Sequence, residues 1–462
     1  MSDKVSYVTK RTIRLLLSDL TISAILISLV LTGSLFMTSQ ESFAESTRVP
    51  TRLVLGLDGI AFSTFRKFQA GGHFRNFNPV SPMVASFPSI SDPNWTKLLR
   101  LPPEKSFTKA YFDPSIKTAT GWGENVGSMV THVVKQPNYE KVMDFRLQGM
   151  WEHLSMLIWT ETTAHYWVES LEKSFFKFRG KETYFALIVN TDIMSHTEGE
   201  KAIFKYLVLI EEKLDEIQNR YRKIYHAKLE VVLVSDHGNA FFSPEDIPIE
   251  NLKKSGWKFN STISGPRDIA TYVPEILGVG SFYCDLKSRR DLAIALSGIT
   301  HLQSSMYADD EKKIHVISKA GSNESVISFN SVKNLISYKV IKGLDPLLGQ
   351  IRYFNKGALS EEEYLRRSLE DTLPDSVIRI WEGFNSLSEI KPMVLANGEL
   401  GYVFGNKTLR LVTDLRGFSS SHGGLYRDET FGIFVSTKRE LPAIRPQNFG
   451  DFIGLTSLKS KL

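Results

Sequence analysis

Three short apolar runs in this chain each stop at or beside an aspartate, and that repeated event restricts the folds open to it. They are Arg52–Leu57, ending at Asp58-Gly59; Tyr184–Asn190, ending just before Asp192; and Leu229–Ser235, ending at Asp236-His237-Gly238. Brief apolar runs of this kind have the character of strands buried on both faces of a mainly parallel sheet. Between the second and third, Ile203, Leu207, Ile210, Leu214, Ile217 and Tyr221 recur at spacings of three and four. That is the pattern of an amphipathic helix lying on a sheet face, so strand, helix and strand make a crossover unit. The ends of the strands then meet at one edge of the sheet, where folds of this type bind their ligands. The expected fold class is α/β: a three-layer α/β/α sandwich with a mainly parallel central sheet and a smaller cap-like insertion.

Further along, strands are expected around Phe282–Asp285, His315–Ser318 and Thr430–Ser436, and helices around Arg290–Ser297 and Ser360–Glu370. The insertion is expected around residues 339–407, where loop signals surround an amphipathic helix. With 462 residues and 42% hydrophobic content the chain can bury a large core, which excludes a disordered protein. Its 56 basic and 51 acidic residues leave a net charge of +5 spread over short clusters such as Lys287–Arg290. These read as solvated surface, so no nucleic-acid partner is expected. The single cysteine, Cys284, excludes an internal disulfide and a thiolate metal cluster.

The N-terminus carries an address. Lys4, Lys10, Arg11 and Arg14 precede an apolar run from Leu20 to Met37, followed by Ser42-Phe43-Ala44. Small residues at Ser42 and Ala44 suit a signal peptidase, and a run of roughly 18 residues is also long enough to span a bilayer as an uncleaved anchor. Residues 1–44 are therefore expected to be a signal peptide or membrane anchor, and 45–462 the catalytic domain. The body of the protein would work outside the cytoplasm, periplasmic or secreted, with a membrane partner only if the segment is retained.

Asp58, Asp192, Asp236, His196, His237 and His422 supply three carboxylates and three imidazoles. A mixed oxygen and nitrogen set suits zinc and also admits manganese or iron. Two such ions can clamp the attacking and leaving oxygens of a phosphoryl group, so two divalent metal ions are the expected cofactors. Ser91 is the candidate nucleophile. Pro93 fits the first turn of a helix, which would put Ser91 at a helix N-terminus, where free amides favour an alkoxide and a phosphate. Asn94 lies about one turn further on and could present its amide to a phosphoryl oxygen.

Taken together, these motifs resemble the alkaline phosphatase superfamily, and within it the type I phosphodiesterase and nucleotide pyrophosphatase branch. The resemblance runs from about Arg52 to Leu455. It rests on Leu57-Asp58-Gly59, Ser91-Asp92-Pro93-Asn94, Asp192-Ile-Met-Ser-His196, Ser235-Asp236-His237-Gly238 and His422-Gly423-Gly424, in the family's order. It implies that Asp192, His196 and His422 bind one metal, and that Asp58, Asp236, His237 and Ser91 bind the other. Asn94 would take the oxyanion-side role. The implied activity is hydrolysis of a small-molecule phosphodiester, a nucleotide or a lipid or headgroup diester, through a phosphoseryl intermediate.

Departures from the family pattern bear on the substrate. Ser91 stands where many members have Thr, Asp92 where they have an apolar residue, and Trp95 where they have His. A carboxylate beside the nucleophile repels a phosphate anion unless it turns away, which biases the site against monoesters. Trp95 could stack on a nucleoside or sit in the core. No Arg is fixed near Ser91 by sequence, since Arg100 falls beyond the first turns of the helix. A membrane-anchored phospho-headgroup transferase, a phosphomonoesterase and a catalytically silent binding protein remain as alternatives on the same residues.

Overall fold

Leu53, Leu55 and Leu57 point to one face of the first strand and Val54 to the other, and both faces are buried. This is why the run shows no polar alternation. A computed structural model of the chain describes residues 48–107, 111–120, 137–146, 160–272, 277–405 and 417–454. The expected leader or anchor lies outside the described residues. Among the described residues no helix is long and apolar enough to cross a membrane.

The first strand, β1 (Arg52–Leu57), pairs in parallel with β3 (Thr183–Ile188) on one side and β4 (Glu230–Val234) on the other. With β2 (Ser81–Val84) and β13 (Phe431–Ser436) they form a five-stranded sheet in the order β2-β13-β4-β1-β3. β13 is antiparallel to both neighbours and so runs against the other four. The register sets Leu57 opposite Ile188 and Gly56 opposite Val234, so the chain leaves β1, β3 and β4 at nearly the same level.

Helices cover both faces of this sheet. On one lie α1 (Phe62–Ala70), α4 (Thr160–Lys177) and α6 (Glu200–Tyr225), whose Phe65, Phe175 and Leu207 pack on Leu53 and Leu55. All six apolar positions expected to form the stripe of α6 are buried. On the other lie α2 (Ser91–Leu98), α3 (Asn138–Val142) and α12 (Pro446–Ile453), whose Trp95, Tyr139 and Phe449 pack on Val54, Leu187 and Val234.

A second sheet has eight strands: β5 (Lys258–Phe259), β6 (Asp268–Tyr272), β7 (Val279–Tyr283), β8 (Leu302–Ala308), β9 (Ile314–Ser318), β10 (Asn323–Asn330), β11 (Leu335–Lys342) and β12 (Val394–Gly398). Their order is β11-β10-β9-β8-β12-β7-β6-β5, antiparallel at every pairing except β6 with β5. One face packs on α7 (Arg289–Ser297) through Leu292 and Leu296. The other packs on α8 (Ile351–Phe354), α9 (Glu361–Ser368) and α10 (Ser376–Asn385) through Phe354, Tyr364, Val377 and Ile380. The segment 339–407 contributes the end of β11, α8 to α10 and β12 to this sheet, whose first strand begins at Lys258. The protein is therefore mixed α/β, with more than one sheet and both strand orientations.

Candidate active site

Every strand of the five-stranded sheet delivers a candidate residue to the same edge. Asp58 follows β1; Ser91 opens α2 after β2; Asp236 and His237 follow β4; His422 precedes β13. Asp192 and His196, expected just beyond the second apolar run, are carried on a helix. They lie on α5 (Asn190–Glu198), directly after β3. Their spacing of four places both on one helix face, with Asp192 Oδ2 3.3 Å from His196 Nε2.

The six side chains gather as two sets, Asp58-Asp236-His237 and Asp192-His196-His422, each able to hold a metal ion, with ligand atoms within 4.8 Å of one another. The sets adjoin, since the rings of His237 and His422 stack with centroids 4.1 Å apart. Ser91 Oγ donates to Asp58 Oδ1 at 3.1 Å and lies 3.1 Å from His237 Nε2. Ser91 is the first residue of α2, and Ile90 occupies the cap position with no side-chain cap, so the hydroxyl is directed at the cluster.

The donor chemistry fits divalent cations. His196, His237 and His422 each direct Nδ1 to a backbone carbonyl, of Ser420 at 2.9 Å, Gly238 at 2.9 Å and Ser89 at 2.7 Å. A carbonyl only accepts, so Nδ1 carries the proton and Nε2 keeps its lone pair for the site. Burial, with His237 beside it, pushes His422 down to about 3 and keeps that ring neutral. Two of the three carboxylates lack compensation. Burial pushes Asp236 up to about 8, and burial followed by Asp236 and Asp192 raises Asp58 well above the usual carboxylate range. Both oxygens of Asp236 are buried without a hydrogen-bond partner. Carboxylates crowded in this way ionise together only with a cation between them.

Two supports of the ligands have no counterpart in the sequence reading. Asn239, fully buried, donates from Nδ2 to Asp192 Oδ1 at 2.7 Å and to the Gly59 carbonyl at 2.8 Å, and so orients a ligand of the second set. Its place directly after Asp236-His237-Gly238 was the only available signal. Thr191 donates to the Asp58 carbonyl at 2.6 Å. Gly59 has φ +64, and a Cβ there would stand 2.3 Å from Asp192 Oδ1. Only glycine leaves room for that carboxylate.

Around Ser91, one expectation changes. Asn94 does not present its amide to the cluster: Oδ1 accepts the Ser86 amide at 2.7 Å, while Nδ2 donates to the carbonyls of Ile90 at 2.8 Å and Pro88 at 3.3 Å. It shapes the loop ahead of Ser91. Asp92 accepts the Tyr139 hydroxyl at 3.0 Å, which draws that carboxylate to α3. Trp95 is 1% exposed and packs beneath β1, so it belongs to the core. Arg100 pairs with Asp451 at 2.5 Å.

No protein-family model matches the chain, and no curated protein matches it.

Proposed function

We propose that this chain is a metal-dependent phosphoric ester hydrolase, a phosphodiesterase acting through a phosphoseryl intermediate outside the cytoplasm. The plan it would follow is the alkaline-phosphatase-like three-layer sandwich. A five-stranded sheet with helices on both faces and a single reversed strand supports that reading. The observation that carries the function is the position of Ser91 Oγ, between Asp58 Oδ1 and His237 Nε2 and next to a second set of ligands.

Asp58, Asp236 and His237 with Ser91 would hold one ion, and Asp192, His196 and His422 the other. Two bound divalent ions, zinc by donor type, would lower the pKa of the serine hydroxyl and neutralise charge on the phosphoryl and leaving oxygens. Ser91 Oγ forms the new bond to phosphorus as the bond to the leaving oxygen breaks. The hydroxyl proton has an acceptor at Asp58 Oδ1, the atom to which it already donates. Water then cleaves the phosphoserine and returns the hydroxyl. Diesters are favoured over monoesters because, among the described residues, the cations of α2 and the turn after it are engaged elsewhere: Lys97 with Glu382 at 2.7 Å and Arg100 with Asp451.

Ser91→Ala and His422→Ala should each lower hydrolysis of a generic aryl phosphodiester by on the order of 10³-fold or more. Metal analysis should find about two transition-metal ions per chain. Undiminished turnover in either variant, or an active metal-free protein, sinks the proposal. Product formed only with an added acceptor alcohol converts it to a transferase.

A further inference from the structure

Arg379 lies on α10, the helix that packs against the second sheet, and its side chain is 1% exposed. Its guanidinium reaches out of that layer into the loops of the candidate site. Nε donates to the Ala85 carbonyl at 2.7 Å. Nη1 donates to the carbonyls of Leu425 at 3.2 Å and Pro374 at 3.4 Å. Nη2 donates to Ser89 Oγ at 2.8 Å, the Gly424 carbonyl at 3.2 Å and the Ser86 carbonyl at 3.5 Å. All six partners are neutral. The carboxylates of Asp375, Glu429 and Glu382 favour its charge from nearby, while its N–H donors are spent on backbone carbonyls and one hydroxyl.

The two loops it joins are those that matter. Ala85 to Ser89 lead directly to Ser91, and Gly424 and Leu425 follow His422. They also bond to each other: the Ser89 amide donates to the Gly423 carbonyl at 3.1 Å, Ser89 Oγ donates to the Gly424 carbonyl at 3.0 Å, and the Ser89 carbonyl receives His422 Nδ1 at 2.7 Å. A planar fork with five N–H donors can hold both loops at once, whereas a lysine ammonium has three donors and no fixed plane.

We propose that Arg379 is a positioning residue for the metal centre, locking the Ser91 loop to the His422 loop and thereby aiming His422 Nε2. This rests on the preceding reading, in that the Asp192-His196-His422 set must hold a divalent ion. Arg379 acts through Ser89 and His422 and touches no substrate.

The test uses full-length protein stripped of metal and titrated with Zn2+ alone. Wild type should take up two ions. Arg379→Lys should weaken one of them by about 10- to 100-fold, the usual cost of losing an outer partner of a metal ligand, and leave the other unchanged. It should also lower kcat on an aryl phosphodiester with KM unchanged. In a His422→Ala background the lysine substitution should cost nothing further, because the ligand it acts through is gone. Two tight ions in wild type and the same two in Arg379→Lys, or equal weakening of both, overturn the clamp alone. A wild-type chain that takes up no zinc sinks the hydrolase reading itself. Should Arg379→Lys fail to fold, Ser89→Ala removes the hydroxyl between Arg379 and Gly424 and keeps the carbonyl that holds His422. A several-fold loss at one ion is then expected, and no loss overturns the proposal.

Discussion

Asp236 is the residue whose state depends most on what fills the site. Burial pushes it up to about 8, so near pH 7 it is mostly protonated when no cation is present. A metal ligand must be a carboxylate, so zinc binding should release up to about one proton from it at pH 6 to 7 and progressively less as pH passes 8. Calorimetry in buffers of different ionisation enthalpy measures this, and a release that does not vary with pH would be the contrary result. The sign for stability follows the same shift. Because the folded pKa is raised above 3.8, Asp236 by itself costs the metal-free protein stability as pH climbs from that value through about 8, at no more than about 1.4 kcal/mol per pH unit. Gly59 is the second residue with a sharp expectation. Gly59→Ala places a methyl against Asp192 and Asn239 at φ +64, which should cost about 1–3 kcal/mol. The fall in melting temperature should be larger with zinc than without, because a displaced Asp192 holds an ion less well. An equal fall in both conditions would show that Gly59 serves only the backbone.

At the scale of elements, one part of the joint between the two sheets is ionic. Arg445, at the start of α12, donates from Nε to Asp375 Oδ2 at 2.6 Å and from Nη2 to Asp375 Oδ1 at 2.7 Å, just ahead of α10. Both side chains are buried, so Arg445→Met leaves a carboxylate unpaired and should destabilise by about 3–5 kcal/mol. Denaturation of the Arg445→Met, Asp375→Asn double variant should show less than the sum of the single losses, and strict additivity would mean the pair is not coupled. How much of this was legible varies by element for physical reasons. β1, β3, β4 and β13 stand out because burial on both faces confines polar residues to the ends of each run. The stripe of α6 was legible because one side of a long helix meets the sheet. The second sheet was seen only at β7 and β9, since β8 carries Gln303, Ser304 and Ser305 and β10 carries Glu324, Ser325 and Ser328 among its apolar positions. Helix α5 left no periodic signal because it buries Asn190, Thr191 and Ser195 and has no apolar stripe. In the candidate site, spacing and order picked out the six side chains that gather there. The partners that aim them, Arg379 and the carbonyls of Ser89 and Ser420, come from other parts of the chain, and no local pattern announces them.

For the whole molecule, the order in which parts are made matters as much as where they end up. β13 occupies the slot between β2 and β4, and it is the last strand of the described chain. A protein ended after Leu425 would leave β2 unpaired in the sheet and β4 with an open apolar edge, the kind of surface that recruits other chains. Such a truncation is expected in the insoluble fraction, and a soluble, monomeric product that still binds zinc would contradict the role given to β13. Polypeptides emerge from the ribosome in one direction over tens of seconds at this length. Asp58 and Ser91 are exposed to the cell early, His422 and the closing strand only near the end. Under the proposed mechanism a growing chain lacks His422 when Ser91 first emerges, and the place of one strand separates the birth of the polypeptide from the onset of the chemistry proposed for it.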